Sequence, residues 1–239
     1  MPADTPEHRF AELVVTEPAR PFVTYYDEAS GERTELSVRS LGNWVAKTHH
    51  LLGDELGLGV GDTAGVTLPA HWISVCVLLG CLTAGLQLTT DTASADVAFV
   101  DAGDLPPDLP LDAFAIAPAA AALGLRDDGA DGVRDYVAAV RPQGDAWAGV
   151  QLLGGAADPC LPHLNRGQVL ERARNAARDA GLDTGGRLLT TRDWSSPDDW
   201  LDTFFAALDV GGSLVIVHNC TDDAVLERRF AQERATARN

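Results

Sequence analysis

The chain has 239 residues, 46% of them apolar, which is enough for one large domain or two small ones and excludes disorder by composition except at the ends. Its formal net charge of −17 repels nucleic-acid phosphates and anionic membranes, so both are excluded as partners on electrostatic grounds. Its cations are 17 arginines and one lysine, Lys47, so no mechanism that needs two lysines is open to this chain acting alone.

The four cysteines, Cys76, Cys81, Cys160 and Cys220, include no Cys-x-x-Cys pair. Cys76 and Cys81 fall in an apolar helical stretch, where cysteine behaves as a small hydrophobe. No disulfides are expected, and a reducing, cytoplasmic location follows. The opening residues MPADTPEHRF lack the basic region and apolar run of a signal peptide. No apolar run reaches the roughly 18 residues that a membrane-spanning helix needs.

The first elements read as a hairpin: PFVTYYD and ERTELS flank Glu28-Ala29-Ser30-Gly31. A helix follows over residues 37–56, with Ser37 as N-cap and Leu41, Trp44, Val45, Thr48, Leu52 and Leu56 on one face. Residues 63–68 are a short strand ended by Pro69. Residues 71–84 are apolar nearly all round and read as a buried helix. Strands are expected at 86–88, 97–100 and 114–116, with a Pro- and Asp-rich surface loop at 103–110. The alanine-rich stretch 117–122 is unassigned, 129–132 reads as a loop, and 133–140 as a short helix.

The second half is more regular. Residues 149–153 read as a buried strand running into a glycine turn. Asn165 caps a helix to residue 180, with Val169, Leu170, Ala173, Ala176, Ala177 and Ala180 inward and Gly181 as the stop. A strand at 187–190 precedes Ser196-Pro197-Asp198-Asp199, a helix start with its N-cap, its proline at the first position and its acids in the first turn. Trp200, Leu201, Phe204, Phe205 and Leu208 form the buried stripe of that helix. Residues 213–217 are a buried strand, and an amphipathic helix runs from 221 to about 234. Alternating strands and helices, with several strands as continuous apolar runs, predict an α/β protein of mostly parallel sheets flanked by helices. Two lobes are expected, 1–145 and 146–239.

The stretch Val150 to Pro162, VQLLGGAADPCLP, holds the main candidate site. A strand entering a glycine turn is where many α/β proteins cradle a phosphate, with backbone N–H groups helped by hydroxyls and a cation. Here the turn offers Gly154 and Gly155 but no Ser, Thr or Lys. Paired glycines also serve a tight turn and nothing more. Trp194 is the second candidate, as a pocket lining or as a packing residue at a helix entry. Cys160 and His163 have ligand-like spacing, with Asp158 and His218 as further donors, but nothing in the sequence brings them together, so no metal is assigned. GLGVGD precedes a strand where a dinucleotide fingerprint would follow one, and no Gly-x-Ser-x-Gly elbow exists. No catalytic residue and no cofactor are assigned.

Three segments resemble the N-terminal half of the adenylate-forming superfamily, the acyl-CoA synthetase and AMP-binding enzymes. They are FVTYYDEASGERTELSVRSLGNWVAKTHHLL, LGLGVGDTAGVTLPAHWISVCVLLGCLTAGLQL and GLDTGGRLLTTRDWSSPDDWLDTFFAALDVGGSLVIV. In the second, Gly61-Asp62, Pro69 and Ala84-Gly85 fall in the family's order and spacing. The resemblance covers about residues 21–219 and is to a short, truncated, actinobacterial type. It implies the family's α/β fold and places a Ser/Thr/Gly-rich loop ending in Pro-Lys-Gly where this chain has Gly154-Gly155-Ala156-Ala157-Asp158-Pro159-Cys160. It places an aromatic or histidine of the acyl pocket near Trp194. The loop's hydroxyls and lysine are missing, and about 20 residues follow the third segment, which leaves no room for the family's later motifs and lid.

Adenylyl transfer needs charge neutralised on the phosphates as the carboxylate attacks. The expectation is therefore a non-catalytic binding or interaction protein, a pseudoenzyme, whose partner is an unidentified small molecule or protein. The alternative is an adenylate-forming or acyl- or nucleotide-handling enzyme completed by a second chain. Half of a larger fold exposes apolar surface, so a homodimer that covers it is a further expectation.

Overall fold

The structure, a computed structural model, describes residues 4–118, 124 and 132–239. In chain order, the first elements are α1 (Pro6–Thr16), β1 (Pro21–Asp27), β2 (Glu32–Ser37) and α2 (Val38–His50), which a π-helical turn at Leu51–Glu55 extends. Next come β3 (Thr63–Thr67), α3 (Trp72–Thr83), β4 (Gln87–Thr89), β5 (Val97–Asp101) and β6 (Asp112–Ile116). After β7 (Arg134–Asp135) and α4 (Tyr136–Val140), a 3₁₀ turn at Trp147–Gly149 leads to β8 (Pro159–Leu161), β9 (Leu164–Asn165) and α5 (Arg166–Asp179). The chain ends with β10 (Arg187–Thr190), α6 (Pro197–Trp200), a π-helical turn at Leu201–Phe205, α7 (Ala206–Asp209), β11 (Ser213–His218), α8 (Asp223–Gln232) and β12 (Ala237–Arg238).

The residues form two compact units that interleave along the sequence. The first takes residues up to 41, 70–72 and 167–239; the second takes 42–69 and 73–166. This differs from a single cut after residue 145. Such a cut is sought at a linker, and a chain that enters each unit more than once leaves no single linker to find.

The first unit is built on a five-stranded sheet of order β12-β10-β11-β1-β2, antiparallel only between β1 and β2. Val23 lies opposite Leu214 and Asp27 opposite His218, so β1 and β11 run parallel at its centre. In both strands five consecutive residues, 22–26 and 213–217, are buried, as a strand covered on both faces requires, and Thr24 is the polar residue among those of β1. One face carries Tyr26, Leu189, Val215 and Val217, covered by Leu226 and Phe230 of α8. Residues 6–16, unassigned from sequence, are helical. Thr5 is the N-cap and Pro6 opens the first turn, and Phe10 packs edge-on against Phe22 with ring centroids 5.8 Å apart. The capping box at Ser196 and Asp199 forms as its residues predict.

The second unit holds an all-parallel sheet of order β4-β3-β5-β6-β7. Gly80 of α3 permits close approach of α2, since a Cβ there would sit 2.4 Å from the Thr48 side chain. Thr48 Oγ1 in turn lies 2.7 Å from the Tyr136 hydroxyl. Two expectations are corrected here. Residues 133–140 form a short strand and then a helix, because the Asp135 side chain accepts from the Val137 N–H and starts α4 late. Residues 150–153 form no strand, and Leu153 is 46% exposed. A four-residue apolar run satisfies a strand pattern, but a strand needs a pairing partner, and the five positions of this sheet are filled by other segments. The stretch expected at 117–122, beyond residue 118, and the loop expected at 129–132, before residue 132, lie outside the described residues. Among the described residues, no helix is long and apolar enough to cross a membrane.

Candidate functional site

The glycine loop belongs to the second unit. The chain leaves the 3₁₀ turn in extended form, buries Gly154, exposes Gly155 and turns back at Asp158 into the β8–β9 hairpin. The Asp158 carboxylate closes the turn on itself. The Gly155 N–H donates to Asp158 Oδ2 at 2.7 Å, and the Asp158 N–H donates to the Gly155 carbonyl at 3.0 Å. An amide that would face an anion is thus held by the loop's own negative charge. A phosphate approaching it would have to displace that carboxylate against like-charge repulsion.

The hairpin behind the loop is fixed. The Asp158 carbonyl accepts from the Arg166 N–H at 3.0 Å. The fully buried Arg166 guanidinium donates to the carbonyls of Leu82 at 3.0 Å and Leu86 at 3.1 Å, at the C-terminal end of α3. The Leu82 carbonyl lies in the last turn of α3, at the negative end of the helix dipole, so a cation suits it, and the Leu86 carbonyl lies just beyond the helix. Gln87 Nε2 donates to the Leu161 carbonyl at 3.2 Å. Leu153 packs beside Gly85, whose φ of 94° and lack of a side chain let Val60 and Leu153 close in.

Trp194 belongs to the first unit and is 5% exposed. Its indole N–H donates to Thr203 Oγ1 at 2.9 Å, and Thr203 donates to the Asp199 carbonyl at 2.6 Å. Its ring lies 6.4 Å from Phe204. Asp193 holds the entry in place, accepting from the N–H groups of Ala70 and Trp194, each at 2.8 Å. The indole is therefore packed with its polar atom satisfied. Cys160 is buried and His163, at φ 64°, is exposed in the hairpin turn. Among the described residues, no group of three or more His, Cys, Asp or Glu side chains could hold a metal ion.

Sequence reasoning missed a titratable cluster at the C-terminal ends of β1 and β11 in the first unit. His71 is 1% exposed, its ring 4.2 Å from that of Tyr25 and its Nε2 3.9 Å from the Glu32 carboxylate. Tyr25 also stacks on His218 at 6.5 Å. Burial, then the nearby His218, holds the His71 pKa down to about 3. Burial and the charges of Asp27, Glu32 and Asp193 push the Tyr25 hydroxyl well up. The only sequence signal was a histidine directly after the Leu68-Pro69-Ala70 strand end.

No family model matches the chain. The TIGR03089 family protein of Mycobacterium tuberculosis is 39% identical over 231 residues, spanning 94% of this chain and 93% of that protein. The chain belongs to the TIGR03089 family. Solved structures show which fold this TIGR03089 member has. The acyl-CoA synthetase of Brucella canis superposes with a TM-score of 0.78 at 15% identity, over 98% of this chain and 46% of that one. The acetoacetyl-CoA synthetase of Streptomyces lividans gives 0.72 at 16% identity, over 96% and 41%. The N-terminal subdomain of NpsA from Klebsiella oxytoca gives 0.67 at 14% identity, over 97% and 58%. The fold is that of the N-terminal half of the adenylate-forming enzymes, and the chain spans about half the length of the solved structures it matches.

Proposed function

We propose that this TIGR03089 family member is a non-catalytic binding or interaction protein that keeps half of an adenylate-forming fold. The observation that carries this reading is the Asp158 carboxylate on the Gly155 N–H, in a loop with no hydroxyl and no lysine. Stabilising a transferring phosphoryl or adenylyl group takes preorganised donors and positive charge. This loop offers a negative charge where they would act. The four cysteines are free thiols, which fits a reducing cytoplasm. A homodimer remains part of the reading, and light scattering reads it directly.

The test is titration calorimetry with ATP and magnesium, together with carboxylate-dependent exchange of labelled pyrophosphate into ATP. No heat of binding and no exchange above buffer are expected from the purified chain. Robust exchange by the partner-free protein would overturn the reading. A second reading, an enzyme completed by another polypeptide, draws on the roughly doubled length of the solved relatives. It requires exchange to appear only when a co-purifying chain is present.

A further inference from the structure

In the first unit, α8 covers one face of the sheet, over Tyr26, Val215 and Val217. Side chains alternate along a strand, so Tyr25 and Asp27 lie on the other face. Asp27 is paired with Glu32 of β2 on one side and with His218 of β11 on the other. That face therefore ends in a row of Glu32, Asp27 and His218 on three neighbouring strands. Two carboxylates stand directly opposite each other, which destabilises an antiparallel pair. Among the described residues, neither has an arginine or lysine partner. The Asp27 carboxylate accepts from the Ser30 hydroxyl at 2.6 Å, the Ala29 N–H at 3.0 Å and Asn219 Nδ2 at 2.8 Å. Glu32 Oε1 accepts from Thr34 Oγ1 at 3.0 Å, and Glu32 is 26% exposed. Tyr25 stands one step inward on the same face. It is 5% exposed, with its ring against those of His71 and His218. Its hydroxyl makes no hydrogen bond among the described residues. Burial, then the charges of Asp27, Glu32 and Asp193, keep that hydroxyl protonated, so it lies at the carboxylate row.

We propose that this row binds a small organic molecule through a primary ammonium group. An ammonium brings N–H donors and no acceptor. The carboxylates of Glu32 and Asp27 and the oxygen of Tyr25 supply acceptors for it. One positive charge between the two carboxylates also relieves their repulsion across the strands. The Tyr25 ring attracts a cation and gives the carbon beside the nitrogen an apolar surface. A metal ion suits the row less well, because it needs several converging ligands, and no group of three or more His, Cys, Asp or Glu among the described residues could hold one. Asp193 adds to the negative field, but its Oδ1 already accepts from the Ala70 and Trp194 N–H groups. The site lies in the first unit, away from the glycine loop, and is independent of the reading above.

The probe is propylammonium chloride, titrated at constant ionic strength into the ¹⁵N-labelled full chain and followed by amide shifts. Tetramethylammonium chloride, with the same charge and no N–H donor, and magnesium chloride are its counterparts. Saturable shifts centred on Tyr25, Asp27, Glu32, His71 and His218 are expected from propylammonium. Glu32→Gln should weaken binding about tenfold, since it removes a charge-assisted hydrogen bond. Tyr25→Phe, which keeps the ring, should weaken it about threefold. Glu227→Gln, at an exposed carboxylate elsewhere, should leave it unchanged. Four results would overturn the proposal: no saturable shifts, shifts spread over the acidic surface, equal affinity for tetramethylammonium, or unchanged affinity in Glu32→Gln. A fifth is magnesium moving the same amides at lower concentration, which would make the row a metal site.

Discussion

Arg187 and Arg166 are both drawn into the interior of a unit, and they are satisfied differently. In the first unit, Arg187 donates to Ser213 at 3.1 Å, to Thr24 at 2.8 Å and to Glu233 at 2.6 Å. Glu233 also accepts from Tyr26 and from Arg33, while Arg229 and Arg33 lie over the Tyr26 ring at 4.0 and 5.4 Å. Burial alone would raise the Glu233 carboxyl, but hydrogen bonds from Tyr26 and Arg187 more than offset it and hold it below its usual value. In the second unit, the Arg166 guanidinium donates to the backbone carbonyl of Leu82 in the last turn of α3 and to that of Leu86 just beyond it. Where a carboxylate side chain accepts, a single substitution can remove the acceptor and strand the arginine. The backbone carbonyls of Leu82 and Leu86 cannot be removed by a side-chain substitution, so there the test falls on the arginine itself.

Arg166→Ala should therefore show the largest effect, a loss of about 3–5 kcal/mol, because it opens a cavity and leaves two buried carbonyls short of donors. Urea unfolding followed by fluorescence measures it. Arg166→Lys should recover only part, since one ammonium lacks the planar fork that reaches both carbonyls. A loss under about 1 kcal/mol in the alanine variant would mean that the carbonyls find other donors, and the contrast between units would fail.

Glu233→Ala comes next, at about 2–4 kcal/mol, because Arg187 is left 14% exposed without its carboxylate. The sharper experiment adds Arg187→Met to Glu233→Leu. Apolar replacement of both partners should regain most of the loss, as buried ion pairs are replaceable by packing. The surface pair Arg238–Glu227, 51% and 64% exposed, provides the control, and Glu227→Ala should cost less than about 1 kcal/mol. Equal losses from Glu233→Ala and Glu227→Ala would show that the network adds nothing beyond a surface pair.

Much of the scaffold is legible in the residues, and the candidate site is less so. Ser196-Pro197 announces its helix, and the glycine after Ala180 takes the left-handed φ of 67° that ends α5. Those signals are local and act through one or two hydrogen bonds. The error at 150–153 is of another kind, since burial of an apolar run depends on whether a sheet edge is free, which no local pattern records. The missing hydroxyls and lysine of the loop could be read directly. That Asp158 would turn back onto Gly155 depends on backbone geometry that sequence spacing does not fix. The His71 cluster was hidden for a related reason: Tyr25, His71 and His218 are far apart in the chain and meet only once β1 and β11 pair.

Each unit also buries a histidine, His71 in the first and His49 in the second, and both are held below the usual pKa mainly by burial. The unfolded chain takes up a proton near pH 6.5, whereas folded His71 does so only near 3. The contribution of neutral His71 is therefore complete above about pH 6.5 and is lost as pH falls towards 3, at up to about 1.4 kcal/mol per pH unit. Tyr25, Glu32, Asp27 and His218 surround it. Between pH 7 and 5.5 the natural chain should lose about 1 kcal/mol more than His71→Gln, read from denaturant midpoints at both values. His49→Gln should remove a slope of the same sign in the other unit. Parallel pH profiles for the natural chain and His71→Gln would mean that His71 gains a proton in the folded state as readily as in the unfolded one.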